Sequence, residues 1–207
     1  MKGKKIKSKK GFTLIELLVV IAIIAILSVV VILTLNPAEL LRQSRDSNRI
    51  SDFSVMKSAV AFYLASVSTP VIGTSTWCYQ GIATASSSAN GCGSYFLQAS
   101  GTLAGAACTS ATCFATSTSR AIDGTGWIPI PFSTITAGGS PISQLPIDPT
   151  NSGNNFYAYE ASSTGLVFKM ATQMESQKYS ASGTNDVVST DGGINNNMYE
   201  QGSNVKM

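Results

Sequence analysis

No histidine occurs anywhere in the 207 residues, which removes the commonest general base and the commonest metal ligand at once. Charged side chains make up only 12% of the chain, and no Lys or Arg lies between Gly11 and Arg42. A Gly-x-Ser-x-Gly elbow, a phosphate-cradling Gly loop and a cluster of metal ligands are all missing too. These absences leave no constellation for catalysis, and the chain reads as a non-enzymatic, structural protein without an obligatory cofactor. Four cysteines are present, but without histidine, and with Cys108 and Cys113 as the closest spacing, they make a poor zinc site.

What the chain does have is one long apolar run. Leu17 to Leu35 contains only Ser28 and Thr34 as polar members, and from Phe12 onward the single ionisable side chain is Glu16. As a helix, residues 12–35 span roughly 36 Å, enough to cross a hydrocarbon core of about 30 Å. A carboxylate inside such a span is costly, about 2.5 kcal/mol or more, and marks a functional position or a head group held at the interface. Nothing basic within the run neutralises Glu16. A free amine at Phe12 does so if the chain is cut after Gly11, most readily between neighbouring subunits displaced along the axis.

The residues before the run are basic. Lys2, Lys4, Lys5, Lys7, Lys9 and Lys10 precede Gly11, and without them 8 basic side chains face 11 acidic ones. A basic segment abutting a span reads as a topology signal that keeps the N-terminus in the cytoplasm and sends the chain after Leu35 outside. The same placement disfavours a nucleic-acid-binding arm, and beyond the helix arginines Lys57, Arg120, Lys169, Lys178 and Lys206 are scattered, so nucleic acid is not an expected partner. An ordinary secretory signal has a shorter apolar core and a small-residue cleavage site.

Lys9-Lys10-Gly11-Phe12-Thr13-Leu14-Ile15-Glu16 resembles the class III signal of type IV pilins and type II secretion pseudopilins. The resemblance implies cleavage between Gly11 and Phe12 by a membrane prepilin peptidase, methylation of Phe12, and self-assembly into a helical filament through Phe12 and Glu16. Its implied partners are the lipid bilayer, other pilins or pseudopilins and the inner-membrane assembly machinery. The implied fold is α+β: a long N-terminal transmembrane helix, kinked near Pro37, packed by its C-terminal half on a small antiparallel sheet. A monomeric anchored adhesin or binding module is the alternative, with the leader retained.

This organisation divides the chain into a cleaved leader (1–11), a membrane and filament-core helix (12–35), its amphipathic continuation (36–66), a Ser/Thr/Gly-rich irregular region (67–126), the sheet (127–179) and a wrapping tail (180–207). In the continuation Ile50, Phe53, Met56 or Lys57, Val60 and Leu64 recur at helical spacing beside Tyr63. Opposite charges at Glu39 and Arg42, Arg42 and Asp46, and Arg49 and Asp52 suit a solvated face. Cys78, Cys92, Cys108 and Cys113 fall on the outer side, where disulfides form; pairing Cys78 with Cys92 and Cys108 with Cys113 closes the shortest loops. Trp127 to Phe132 holds Pro129 and Pro131 and suits an edge strand or extended segment. Phe156–Glu160 and Leu166–Glu175 read as a hairpin, with Leu166, Phe168, Met170 and Met174 toward the helix and Lys169, Gln173 and Glu175 toward water.

Leu145-Pro146-Ile147-Asp148-Pro149 followed by an aromatic strand is similar, more loosely, to the major pseudopilin of type II secretion. That likeness implies a calcium loop near the last strands, for which Asp148, Asn151, Asp186 and Asp191 are the oxygen-bearing candidates. Plain turns account for the same residues.

Overall fold

The computed structural model describes residues 11–73, 78–83, 114–136 and 138–206. Two compact units divide near Leu40, the first running to Leu40 and the second from Leu41 onward.

In the first unit the apolar run forms helix α1, Leu14–Leu35. Its start follows from local chemistry, since Thr13 is extended and caps the first turn. Its end follows from Pro37, which lacks the N–H that would continue the ladder. Asn36 turns left-handed at φ 42°, and helix α2, Pro37–Ser66, restarts with proline as its first residue, where that missing N–H has no role. The Asn36 carbonyl accepts the Glu39 and Leu40 amides at 3.0 and 3.3 Å. The helical path is therefore interrupted at Asn36, where a kink or break is expected from the sequence.

From Leu41 onward α2 belongs to the second unit, and there it buries Asp46, Arg49, Phe53, Met56, Ala59, Val60 and Tyr63. The spacing expectation holds for Phe53, Met56 and Val60; Met56 takes the inner position and Lys57 the outer. Five strands form one sheet in the order β2-β1-β3-β4-β5, with β1 Cys78–Gln80, β2 Phe114–Thr116, β3 Ala158–Ser162, β4 Val167–Thr172 and β5 Tyr199–Gly202. The sheet is mixed rather than wholly antiparallel, because β1 and β2 run parallel. The remaining pairs are antiparallel, with Glu160 opposite Lys169 and Lys169 opposite Gly202.

Two further departures from the sequence reading share a cause, long-range pairing that local patterning does not reveal. The Ser/Thr-rich region supplies β1 and β2, and the tail supplies β5. Residues 127–132 form no strand; Pro131 makes only an isolated bridge with Asp123 before a short 3-10 turn, Phe132–Thr134. Trp127, Ile128 and Ile130 are nevertheless buried, so the segment serves as core filler whose prolines keep it out of the ladder.

One sheet face carries Tyr159, Ala161, Phe168, Met170 and Tyr199 into a core shared with Phe53, Met56, Val60 and Tyr63 of α2. Phe53 meets Tyr157 edge-on at 5.0 Å between ring centres, a favoured aromatic geometry. The opposite face, expected to meet water, is buried as well: Cys78, Ala158 and Ala171 cluster there with Ile82, Phe156 and Met198. Lys169 on that face is fully buried beside Glu200. Leu166, expected on the core face, sits in the β3–β4 turn at φ 49° and is exposed.

Candidate processing and assembly site

Gly11 and Phe12 precede the helix in exposed backbone, and Phe12 is 87% exposed. A Cβ built at Gly11 meets nothing within 4 Å. Among the described residues the fold therefore places no steric demand for glycine there. Thr13 N–H and Oγ1–H both donate to Glu16 Oε2, at 2.9 and 2.7 Å, while Glu16 N–H donates to Thr13 Oγ1 at 3.3 Å. This reciprocal cap satisfies two orphan donors of the first turn and sets a carboxylate at the positive end of the helix. Both Thr13 bonds fall on the same oxygen, Oε2, of an exposed carboxylate. Phe12, Ile15, Glu16, Val19 and Val20 line one shallow groove, and the apolar helix beyond them is long enough to cross a membrane over Leu14–Ile32.

The second polar site lies where α2 meets the sheet domain, and sequence reading missed it. Arg49 is fully buried. Its Nε and Nη2 donate to Asp148 Oδ2 and Oδ1 at 2.7 and 2.8 Å, Nη1 to Asp46 Oδ1 at 2.7 Å, and Nη2 also to Glu175 Oε1 at 2.6 Å. Asp46 in turn accepts the backbone amides of Glu175 and Ser176, and Arg45 Nε donates to Glu175 at 3.0 Å. The two-point Arg–carboxylate geometry is the strong form of the contact. It ties α2 to the Leu-Pro-Ile-Asp-Pro loop and to the segment leaving β4.

The electrostatics agree with the geometry. Glu175 is held down to about 2 by Arg45, with burial opposing and Arg49 and Thr150 assisting. Burial works against the Arg49 charge, but Asp148, Glu175 and Asp46 more than offset it and raise its pKa. The expected Arg49–Asp52 pair on a solvated face is replaced by this inward cluster. Asp52 accepts the Tyr157 hydroxyl at 2.7 Å instead, and burial pushes its carboxyl up while Tyr157 opposes. A signal existed, since Asp46 and Arg49 continue the same three-four spacing as Phe53, Met56, Val60 and Tyr63.

Each aspartate among the calcium candidates is engaged by hydrogen bonds of its own turn or ion pair. Asp148 serves Arg49 and the Thr150 and Asn151 amides, and Asn151 takes a left-handed turn at φ 43°. Asp186 closes its own turn on the Ser182, Val188 and Ser189 amides and is lowered to about 2 by the Ser189 hydroxyl and amide. Asp191 accepts the Gly193 and Glu200 amides, and burial lifts it to about 6. Among the described residues no group of three or more His, Cys, Asp or Glu is placed to hold a metal ion. Cys78 is buried; Cys92, Cys108 and Cys113 lie outside the described residues.

A family model, the prokaryotic N-terminal methylation motif, matches residues 6–32, which hold Gly11, Phe12, the Thr13–Glu16 cap and most of α1. No curated protein and no solved structure matched the chain. With an apolar helix starting two residues after Phe12, capped by the motif's own Glu16, the chain carries the class III signal of type IV pilins and pseudopilins at its N-terminus.

Proposed function

We propose that this chain is a structural subunit of a type IV pilus-like or type II secretion pseudopilus filament. Prepilin peptidase cuts after Gly11, Phe12 becomes the methylated N-terminus, and α1 holds the subunit in the inner membrane until it is extracted into the filament. The observation that carries this reading is the placement of Glu16. It is the lone carboxylate on an apolar helix, its Oε2 accepts both Thr13 donors, and the Phe12 amine of a neighbour pairs with this exposed carboxylate. The two charges together avoid the desolvation cost that each carries alone, which selects subunit register. The described apolar side chains of α1, up to Ile32, are exposed within the single chain, and lipid, then neighbouring subunits, cover them. The sheet domain lies outside the cytoplasm, where Cys78 pairs with Cys92 and Cys108 with Cys113.

N-terminal sequencing and intact mass of protein from membranes and from sheared surface material test this. The expected chain begins at Phe12. Replacing Gly11 with a bulky residue leaves the leader attached, whereas Glu16→Ala is cleaved normally yet yields no filament. Recovery of a chain that still begins at Met1 or Lys2 sinks the reading in favour of an anchored monomer.

A further inference from the structure

On the sheet face turned away from α2, three ionisable side chains are buried together. Lys169 lies in β4, with Glu160 directly opposite on β3 and Gly202 directly opposite on β5. Lys169 and Glu200 are 0% exposed and Glu160 5%. Gly202 brings β5 close: a Cβ there would stand 2.1 Å from the Phe168 carbonyl and 2.9 Å from Lys169 Cα. Glu200, two residues earlier on the same face of β5, reaches the lysine diagonally.

The carboxyl is held in a particular way. Lys169 Nζ stands 3.1 Å from Glu200 Oε1, yet among the described residues Oε1 has no aligned hydrogen-bond partner. The other oxygen, Oε2, accepts the Asn195 amide at 2.8 Å and is pressed by Gly193, where a Cβ would come within 2.0 Å of it. An amine thus sits 3.1 Å from one oxygen of a buried carboxyl group whose second oxygen already accepts a fixed N–H donor. Such preorganisation replaces the entropy cost of bringing the reactants together, and the donor is placed where negative charge develops on a tetrahedral carbon.

We propose that Lys169 and Glu200 condense into an intramolecular amide, with Glu160 passing the proton. One proton moves from Nζ to the carboxylate, leaving a neutral amine and acid. The Nζ lone pair attacks Cδ, the Asn195 amide holds the charge that builds on Oε2, and the C–Oε1 bond breaks as Glu160 protonates the departing oxygen. Glu160 then recovers the remaining proton from nitrogen. One N–C bond forms, one C–O bond breaks, and one water leaves, with no oxidant or reductant. Burial pushes the Glu160 carboxyl up, with the Lys169 charge opposing, so the acid form this step needs is accessible. The reaction favours the amide because it abolishes two charges from which water is excluded. The product ties the C-terminal strand β5 covalently to β4.

Intact mass of the purified full chain, reduced and alkylated, decides the matter, followed by tryptic peptide mapping. The expected mass is lower by one water than the processed sequence requires, with the peptide containing Lys169 joined to the one containing Glu200 and no cleavage after Lys169. A wild-type chain at full mass, with cleavage after Lys169, overturns the proposal and leaves an ordinary buried ion pair. A missing water mapped to any other residue also overturns it. Glu160→Gln, which keeps shape and burial, is expected to recover the full mass with an unchanged circular dichroism spectrum; amide formation in that folded variant removes Glu160 from the step. The outcome does not depend on filament assembly.

Discussion

The two units treat carboxylates in opposite ways. In the first, Glu16 is exposed and, among the described residues, is met by Thr13, three residues away. In the second, Asp46, Asp148 and Glu175 are drawn around Arg49 from positions up to 126 residues distant, and Lys169 and Glu200 share the far side of the sheet. Helix α1 leaves its apolar side chains uncovered, whereas the sheet domain buries charge along with its aromatic core. The contrast teaches which unit is complete. Among the described residues the second unit meets its buried charges from within the chain, while an uncovered apolar helix carrying one exposed carboxylate is finished only by its surroundings.

The sharpest way to break the contrast is to remove its hub. Arg49→Ala leaves Asp148 and Asp46 buried without their cation, and breaking such a cluster from one side costs about 3–5 kcal/mol. Thermal melting of the processed chain in detergent, followed by near-ultraviolet circular dichroism, is expected to show a large loss of midpoint and of aromatic signal. Glu16→Ala, measured the same way, leaves the midpoint where it was. Equal shifts for the two variants would mean that the domain's stability does not rest on its charge cluster.

How much of this was readable from the residues divides along the same line. Glu16, Phe12, the apolar run and the interruption at Asn36-Pro37 are local features, decided within a few positions of one another, and periodicity and proline chemistry reach them. The strands β1, β2 and β5 are three or four residues long and are stabilised by neighbours far away in the chain. Neither Cys78-Tyr79-Gln80 nor Tyr199-Glu200-Gln201-Gly202 has the length to announce itself. Lys169 looked solvent-facing because alternation assigns a polar residue to water, and only knowledge that both sheet faces are covered reverses that assignment. Arg49 looked like a surface charge for the same reason, although its place on the apolar stripe pointed inward.

A smaller effect probes the border between α2 and the core. Tyr157→Phe keeps the ring against Phe53 and removes the hydroxyl that donates to Asp52 at 2.7 Å. A hydrogen bond to a charged group is worth about 1.5–3 kcal/mol, so the domain should lose less than with Arg49→Ala. Pairing the change with Asp52→Asn in a double-mutant cycle isolates the contact. Additive losses in that cycle would show that the hydroxyl and the carboxylate do not work together.

The smallest expected effect is a slope rather than a loss, and it sets two carboxylates of the domain against each other. Glu175 titrates near 2 in the fold and near 4.5 outside it, so its stabilisation is present above about pH 4.5 and is lost as pH falls toward 2. Asp191 has the opposite sign: burial lifts it from 3.8 to about 6, the folded chain binds the extra proton, and stability declines as pH rises from about 4 to 6 before levelling. Glu160, also raised by burial, tilts the same way. Asp191→Asn keeps one oxygen for the Gly193 amide, gives up the acceptor for the Glu200 amide, and takes the titration away. Melting midpoints of the variant should therefore sit below wild type at pH 4, where the lost acceptor is felt, and fall less steeply than wild type between pH 4 and 6. A variant curve parallel to wild type across that window would show that Asp191 does not carry the slope, and would move the assignment to Glu160.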